Sequence, residues 1–114
     1  MSFYDQKIVL VSTLDTKGEE SAYLKKRLEN AGRRVCVIDI GTAGTPAFHA
    51  DITRETVLEQ TTLTQQSAGV SVVLESITAG LEIILRDLLD RDDISAVVGI
   101  GGGKGASVFH RATV

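Results

Sequence analysis

Three runs of apolar residues punctuate the chain: Lys7-Ile8-Val9-Leu10-Val11-Ser12, Arg34-Val35-Cys36-Val37-Ile38-Asp39-Ile40 and Ile94-Ser95-Ala96-Val97-Val98-Gly99-Ile100. Each has strand length and little polar alternation. Such runs belong to parallel sheets covered on both faces. Helical periods lie between them. Ala22, Leu24, Leu28 and Ala31 fall near helical spacing and predict a helix from Lys17 to Ala31, stopped by Gly32. Thr16 and Glu19 read as its capping box. A short helix is expected over Arg54–Gln60, capped by Thr53 or Asp51. Thr61–Ser71 is polar and reads as an irregular loop. The longest helix is expected over Ser71–Arg91, with Val73, Ile77, Leu81, Ile84, Leu85 and Leu88 on one side. Val70, Val72, Leu74, Ile83 and Leu89 widen that stripe beyond what one sheet face covers. Part of this helix is therefore expected to meet another subunit or a missing second half. Val108 and Phe109 start a last helix.

Strands alternating with helices predict an α/β fold, a three-layer parallel sheet with helices on both faces of the flavodoxin or Rossmann kind. Residues 1–114 read as one nucleotide-binding (sub)domain, an incomplete half-domain truncated at its C-terminal end. With strand order 2-1-3, the first and third strands are neighbours whose helices leave on opposite faces. That junction is a switch point, where ligands bind outside the carboxyl ends of the strands.

Composition narrows the function. The formal net charge is −3 and aromatic residues make up 4%, which argues against direct nucleic-acid binding by charge and stacking. One cysteine forms no internal disulfide, and no signal-peptide pattern opens the chain, so a cytoplasmic setting is expected. Cys36, inside a strand run, reads as a buried hydrophobe. Glu75, Glu82, Arg86 and Asp87 interrupt the most apolar segment, so no membrane span is expected. His49 with Asp51 supplies two candidate ligands, too few for a metal site.

Two loops carry the candidate chemistry. After the third strand comes Gly101-Gly102-Gly103-Lys104-Gly105-Ala106-Ser107. Strand, glycine turn and helix together aim backbone N–H groups at an anion, most often a phosphate. The string fits G-x-G-x-x-A through Gly101, Gly103 and Ala106. It is not a P-loop, because Val98 and Gly105 stand where glycine and Ser or Thr would be needed. After the first strand comes Thr13-Leu14-Asp15-Thr16-Lys17, with hydroxyls, a carboxylate and a lysine. Together the loops describe a phosphate site, with Asp15 as a magnesium ligand. Asp39, at the end of the second strand beside Gly41, either meets a ribose or caps the following turn.

The string Thr13-Leu14-Asp15-Thr16-Lys17-Gly18-Glu19-Glu20 after an apolar strand, then Val37-Ile38-Asp39-Ile40-Gly41, Ala50-Asp51-Ile52-Thr53 and Val98-Gly99-Ile100-Gly101-Gly102, resembles the N-terminal part of the Tm-1-like ATP-binding proteins, the UPF0261 family. The resemblance covers nearly the whole chain. It implies an α/β nucleotide-binding domain, ATP with Mg²⁺ as ligand, homo-oligomers, and a full chain of several hundred residues. The family's glycine loop usually reads G-G-S-G-G-T. Here Gly103, Lys104 and Ala106 stand in it instead, so a lysine takes the place of hydroxyl donors.

The sequence-level site is therefore Thr13, Leu14, Asp15, Thr16, Lys17, Asp39, Gly41 and Gly101 to Ser107, around a nucleotide and Mg²⁺. Two rivals stand beside it. One is a fragment of a dinucleotide-dependent oxidoreductase, although that fingerprint normally follows the first strand and not the third. The other is an oligomeric interaction module, built on the 71–91 helix, with a vestigial nucleotide site.

Overall fold

A computed structural model of the chain describes residues 6–61 and 70–113. The elements run β1 (Lys7–Ser12), α1 (Gly18–Asn30), β2 (Arg34–Asp39), α2 (Arg54–Glu59), α3 (Val70–Asp90), β3 (Ile94–Ile100) and α4 (Gly103–Thr113). The strands form one parallel sheet in the order β2-β1-β3. In register, Leu10 lies between Val37 and Val98, and Ser12 between Asp39 and Ile100. All three strands therefore end at one level, and the loops that follow them share one edge of the sheet.

The strand runs are apolar throughout because both faces are covered. On one face Leu10, Leu14, Val37 and Ala50 form a cluster with Leu24 of α1 and Phe48. On the other, Val9, Val11, Cys36 and Ile38 pack under Val57 of α2, Ile77, Leu81, Ile84 and Leu85 of α3, and Val108 of α4. Val9, Leu10 and Val11 have no exposed surface at all. Each fully buried aliphatic side chain stabilises by about 1.5–3 kcal/mol. Exposed helix pairs such as Lys25–Glu29 contribute only about 0.3–0.5 kcal/mol, so the sheet core dominates. The outer edge of β2 is partly closed as well. Ile52 exchanges backbone hydrogen bonds with Val37 and Asp39, and the Asp51 carboxylate accepts the Val37 N–H at 2.8 Å. That bond gives Asp51 a structural task beside His49. Among the described residues no group of three or more His, Cys, Asp or Glu side chains stands ready for a metal.

Helix boundaries follow local chemistry. Gly32 adopts φ +83°, and Arg33 N–H returns to the Leu28 carbonyl, so glycine ends α1 in the left-handed region. The Thr53 hydroxyl accepts the Thr56 N–H and caps α2. The capping box expected from Thr16 and Glu19 does not form. The Thr16 hydroxyl is hydrogen-bonded to the Thr13 hydroxyl at 2.8 Å, Lys17 stands at the N-cap position, and no side chain caps the helix. The loop is closed instead by its own backbone, with Thr16 and Lys17 N–H both donating to the Thr13 carbonyl.

The second correction concerns α4. It begins at Gly103, five residues before Val108, so only Gly101 and Gly102 form the turn. The expected loop over Thr61–Ser71 falls mostly on residues outside those described, and helix is already present at Val70. The α3 stripe buries Ile77, Leu81, Ile84 and Leu85 but leaves Ile83 46% and Leu89 62% exposed. Among the described residues no helix is long and apolar enough to cross a membrane.

One buried carboxylate joins the strand ends. Asp39 is 2% exposed, and its Oδ1 accepts N–H groups from Leu14 at 3.2 Å and Gly41 at 2.8 Å. It thereby ties the loop after β1 to the loop after β2. Replacing it by alanine leaves two interior N–H groups without this acceptor, so Asp39→Ala is expected to lower unfolding free energy by about 2–3 kcal/mol. Urea denaturation followed by circular dichroism measures this; a change within about 0.5 kcal/mol, the range of an ordinary surface substitution, contradicts it. Burial pushes the Cys36 thiol above its usual range, and the Asp51 carboxylate adds to the rise while Lys7 opposes it. The thiolate is the reactive form, so Cys36 is expected to react with a disulfide reagent at pH 8 at least about tenfold more slowly in the native chain than in denaturant. Equal rates would contradict its burial.

Candidate functional site

Where β1 and β3 lie side by side, α1 departs on one face of the sheet and α4 on the other. The chain ends of the strands open there into a cleft of about 310 Å³, lined by Thr13, Asp15, Thr16, Lys17, Thr42, Ala43, Gly102 and Gly105. This is the switch point of an open parallel sheet. Six of the eight lining residues come from the two loops singled out in the sequence.

Each group is held in place by something local. The Thr13 and Thr16 hydroxyls share one hydrogen bond, so one of the two protons is left to point elsewhere. Lys17 is partly exposed, with its ammonium 3.6 Å from the Glu20 carboxylate. A surface pair of that length is weak and leaves the lysine able to turn to another anion. The first turn of α4 begins at Gly103, at the same edge of the sheet. The first N–H groups of a helix have no intrahelical acceptor, and the helix dipole makes that end electropositive. Gly105 is what lets α4 come so close: a Cβ built there would lie 2.7 Å from the Thr13 Cγ2. It fills the close-packing role that a small residue has in glycine-rich phosphate loops.

Asp15 is the most constrained member. Its side chain is only 5% exposed. Oδ2 accepts the N–H groups of Ala43 and Gly44 at 3.0 and 3.1 Å, so this carboxylate holds the loop after β2. The Arg54 guanidinium stands beside it, with Nη1 3.9 Å from Oδ2 and Nη2 donating to the Gly44 carbonyl at 2.6 Å. Oδ1 is buried and has no hydrogen-bond partner. Interior polar atoms nearly always have one, so this oxygen is suited to a donor or cation brought by a ligand. Magnesium fits such a place, since it takes one or two protein carboxylates and fills its remaining positions with water and phosphate oxygens. Asp15 would hold it, with the Thr13 and Thr16 hydroxyls in the same cleft.

Other sequence candidates take different places. Leu14 is a core residue, 1% exposed, within the Leu10 cluster. Asp39 is occupied by the Leu14 and Gly41 amides, so it caps the turn after β2, the plainer of its two sequence readings. Gly41 lies between two carboxylates; a Cβ there would stand 2.6 Å from Asp15 Oδ1 and 3.1 Å from Asp39 Oδ1. Its role is close packing beneath the cleft. Gly101 follows the last residue of β3 and is half-buried. Gly103, Lys104, Ala106 and Ser107 belong to the first turns of α4, and their side chains lie outside those described.

Sequence reasoning missed Thr42, Ala43 and Arg54. The first two were within reach, because the stretch from Gly41 to Ala50 follows a strand of the same parallel sheet and must cross the same edge. Arg54 carried no local signal, since its contact with Asp15 spans the fold.

Residues 6–113 match the N-terminal domain of the uncharacterised protein family UPF0261. A UPF0261 protein of Rhizobium meliloti is 39% identical over 110 residues, covering 91% of this chain and 26% of the relative. One from Clostridium tetani is 28% identical over 114 residues, covering 95% and 28% respectively. One from Mesorhizobium japonicum is 31% identical over 109 residues, covering 90% and 26%. The chain thus spans about a quarter of the length of the curated relatives it matches. With the family's domain matched across almost its full extent, the chain belongs to the UPF0261 family.

Proposed function

We propose that this chain binds a nucleotide by its phosphates, ATP with Mg²⁺, in the cleft between the β1 loop and the start of α4. The observation that carries the reading is the buried, unpartnered Oδ1 of Asp15 in a cleft at the start of a helix. A carboxylate and a helix N-terminus attract opposite charges. A magnesium–phosphate complex satisfies both, with the metal at the carboxylate and the phosphate oxygens at the amides. Lys17 supplies positive charge, and Thr13 and Thr16 supply hydroxyls; Lys104 belongs to the first turn of α4. Gly101 to Gly105 let the backbone approach. The proposal covers binding and orientation of the phosphates and leaves the reaction open. A cytoplasmic setting, with Cys36 reduced, accompanies it.

A second reading, compatible with the first, rests on α3. Ile83 and Leu89 are large apolar side chains left exposed on a helix that buries Ile77, Leu81, Ile84 and Leu85 on its other side. Exposed apolar surface of this kind marks contacts between chains. A homo-oligomer formed through the 71–91 helix would cover it. The double substitution Ile83→Glu with Leu89→Glu is expected to yield a monomer in sedimentation from a wild-type chain that self-associates. A wild-type monomer excludes this reading.

Two further outcomes test the phosphate site. Asp15→Asn keeps an oxygen for the Ala43 and Gly44 amides but removes the charge that would hold Mg²⁺. By calorimetric titration it is expected to weaken Mg²⁺·ATP binding by about tenfold or more, with little effect on ATP in chelator. Equal affinity for Mg²⁺·ATP in both proteins removes Asp15 from the site. Gly105→Val drives a side chain against Thr13 and is expected to reduce affinity at least about tenfold as α4 is pushed off the β1 loop. Unchanged binding would show that the start of α4 takes no part.

A further inference from the structure

We infer that this chain recognises the phosphate chain of its ligand and not the base, so that its ligand class is magnesium-complexed di- and triphosphates in general. The inference rests on the phosphate reading above and specifies what that site selects.

The cleft wall is made of three threonines, a carboxylate, an ammonium group, two glycines and one alanine. Every one is a small or charged group suited to phosphate oxygens or to a metal bound by them. A base is held differently, by stacking on an aromatic face or by an apolar slot. None of the described aromatic residues lines this cleft. Tyr23 lies 67% exposed on α1, with the Arg27 guanidinium 6.0 Å from its ring centre. Phe48 packs on the Leu10 cluster and lines a separate groove along α1. Phe109 covers Gly99 of β3, where a Cβ would stand 2.6 Å from the ring.

The cleft is narrow where α4 meets the β1 loop, since Gly105 packs on the Thr13 methyl group. A volume of about 310 Å³ lies at the low end of the roughly 300–1,000 Å³ typical of small-molecule pockets. Contacts limited to oxygens and metal give affinity that is indifferent to what the phosphates are attached to.

The test is calorimetric titration of the 114-residue chain with four ligands: Mg²⁺·ATP, Mg²⁺·GTP, Mg²⁺·tripolyphosphate and adenosine. The three magnesium complexes are expected to bind with dissociation constants within about tenfold of one another, and adenosine without saturation. Saturable adenosine binding, or ATP binding more than about tenfold tighter than tripolyphosphate or GTP, overturns the inference and leaves the phosphate site standing. If none of the four binds to a chain shown by circular dichroism to be folded, the phosphate reading itself fails and this inference fails with it.

Discussion

β1 is enclosed on every side. It has a strand on each edge, α1 over one face, and α2, α3 and α4 over the other. Val9, Leu10 and Val11 are wholly withdrawn from water, and the polar Ser12 at its end is buried in a hydrogen bond to Ser21 of α1. A central strand of this kind cannot slip by one residue, because every side chain would change faces and Lys7 or Ser12 would enter the wrong layer. Its last residue is therefore fixed relative to Asp39 and Ile100. The position of the Thr13–Lys17 loop follows from that register, and so does its meeting with the start of α4.

The loops beyond the strands are braced by carboxylates. Asp39 holds Leu14 and Gly41, and Asp15 holds Ala43 and Gly44, so the β1 loop is fastened twice to the β2 loop. Buried carboxylates that accept backbone amides give orientation at the cost of desolvation. Each uses one oxygen in this way; what distinguishes Asp15 is that its other oxygen, Oδ1, is buried without a partner. That oxygen lies against Gly41, with the Arg54 guanidinium beside the same carboxylate, in a residue that lines the cleft together with Thr13, Thr16 and Lys17. Fold and site thus share one residue: the same side chain that shapes the loop presents the free acceptor.

Much of this was legible from hydrophobic pattern. The three unalternating runs became strands at nearly the expected bounds, and their spacing implied a parallel sheet; the 2-1-3 order, an assumption at the sequence level, is the one observed. The Thr13–Lys17 and glycine loops were recognised as facing each other because topology alone brings them to one edge. Long-range chemistry was not legible. T-x-x-E is a local capping pattern, but Thr16 turned to Thr13 once the loop folded back. Glycine content suggested a long turn, yet α4 starts at Gly103, where the packing of Gly105 on Thr13 outweighs poor helix propensity. Arg54 meets Asp15 across 39 positions of chain, the difference between residues 54 and 15, and no local pattern announces that pairing.

The site and the fold meet in one observable, the backbone amides that surround the cleft. Titration of the ¹⁵N-labelled chain with Mg²⁺·ATP, followed by amide chemical shifts, reads them directly. Shifts concentrated at Thr13–Lys17, Thr42–Gly44 and Gly101–Gly105 are the expected result, with α1 and the outer face of α3 unmoved. Saturable shifts confined to another surface, such as the groove between α1 and Phe48, or no shifts at all, would contradict a phosphate site at the junction of β1 and β3.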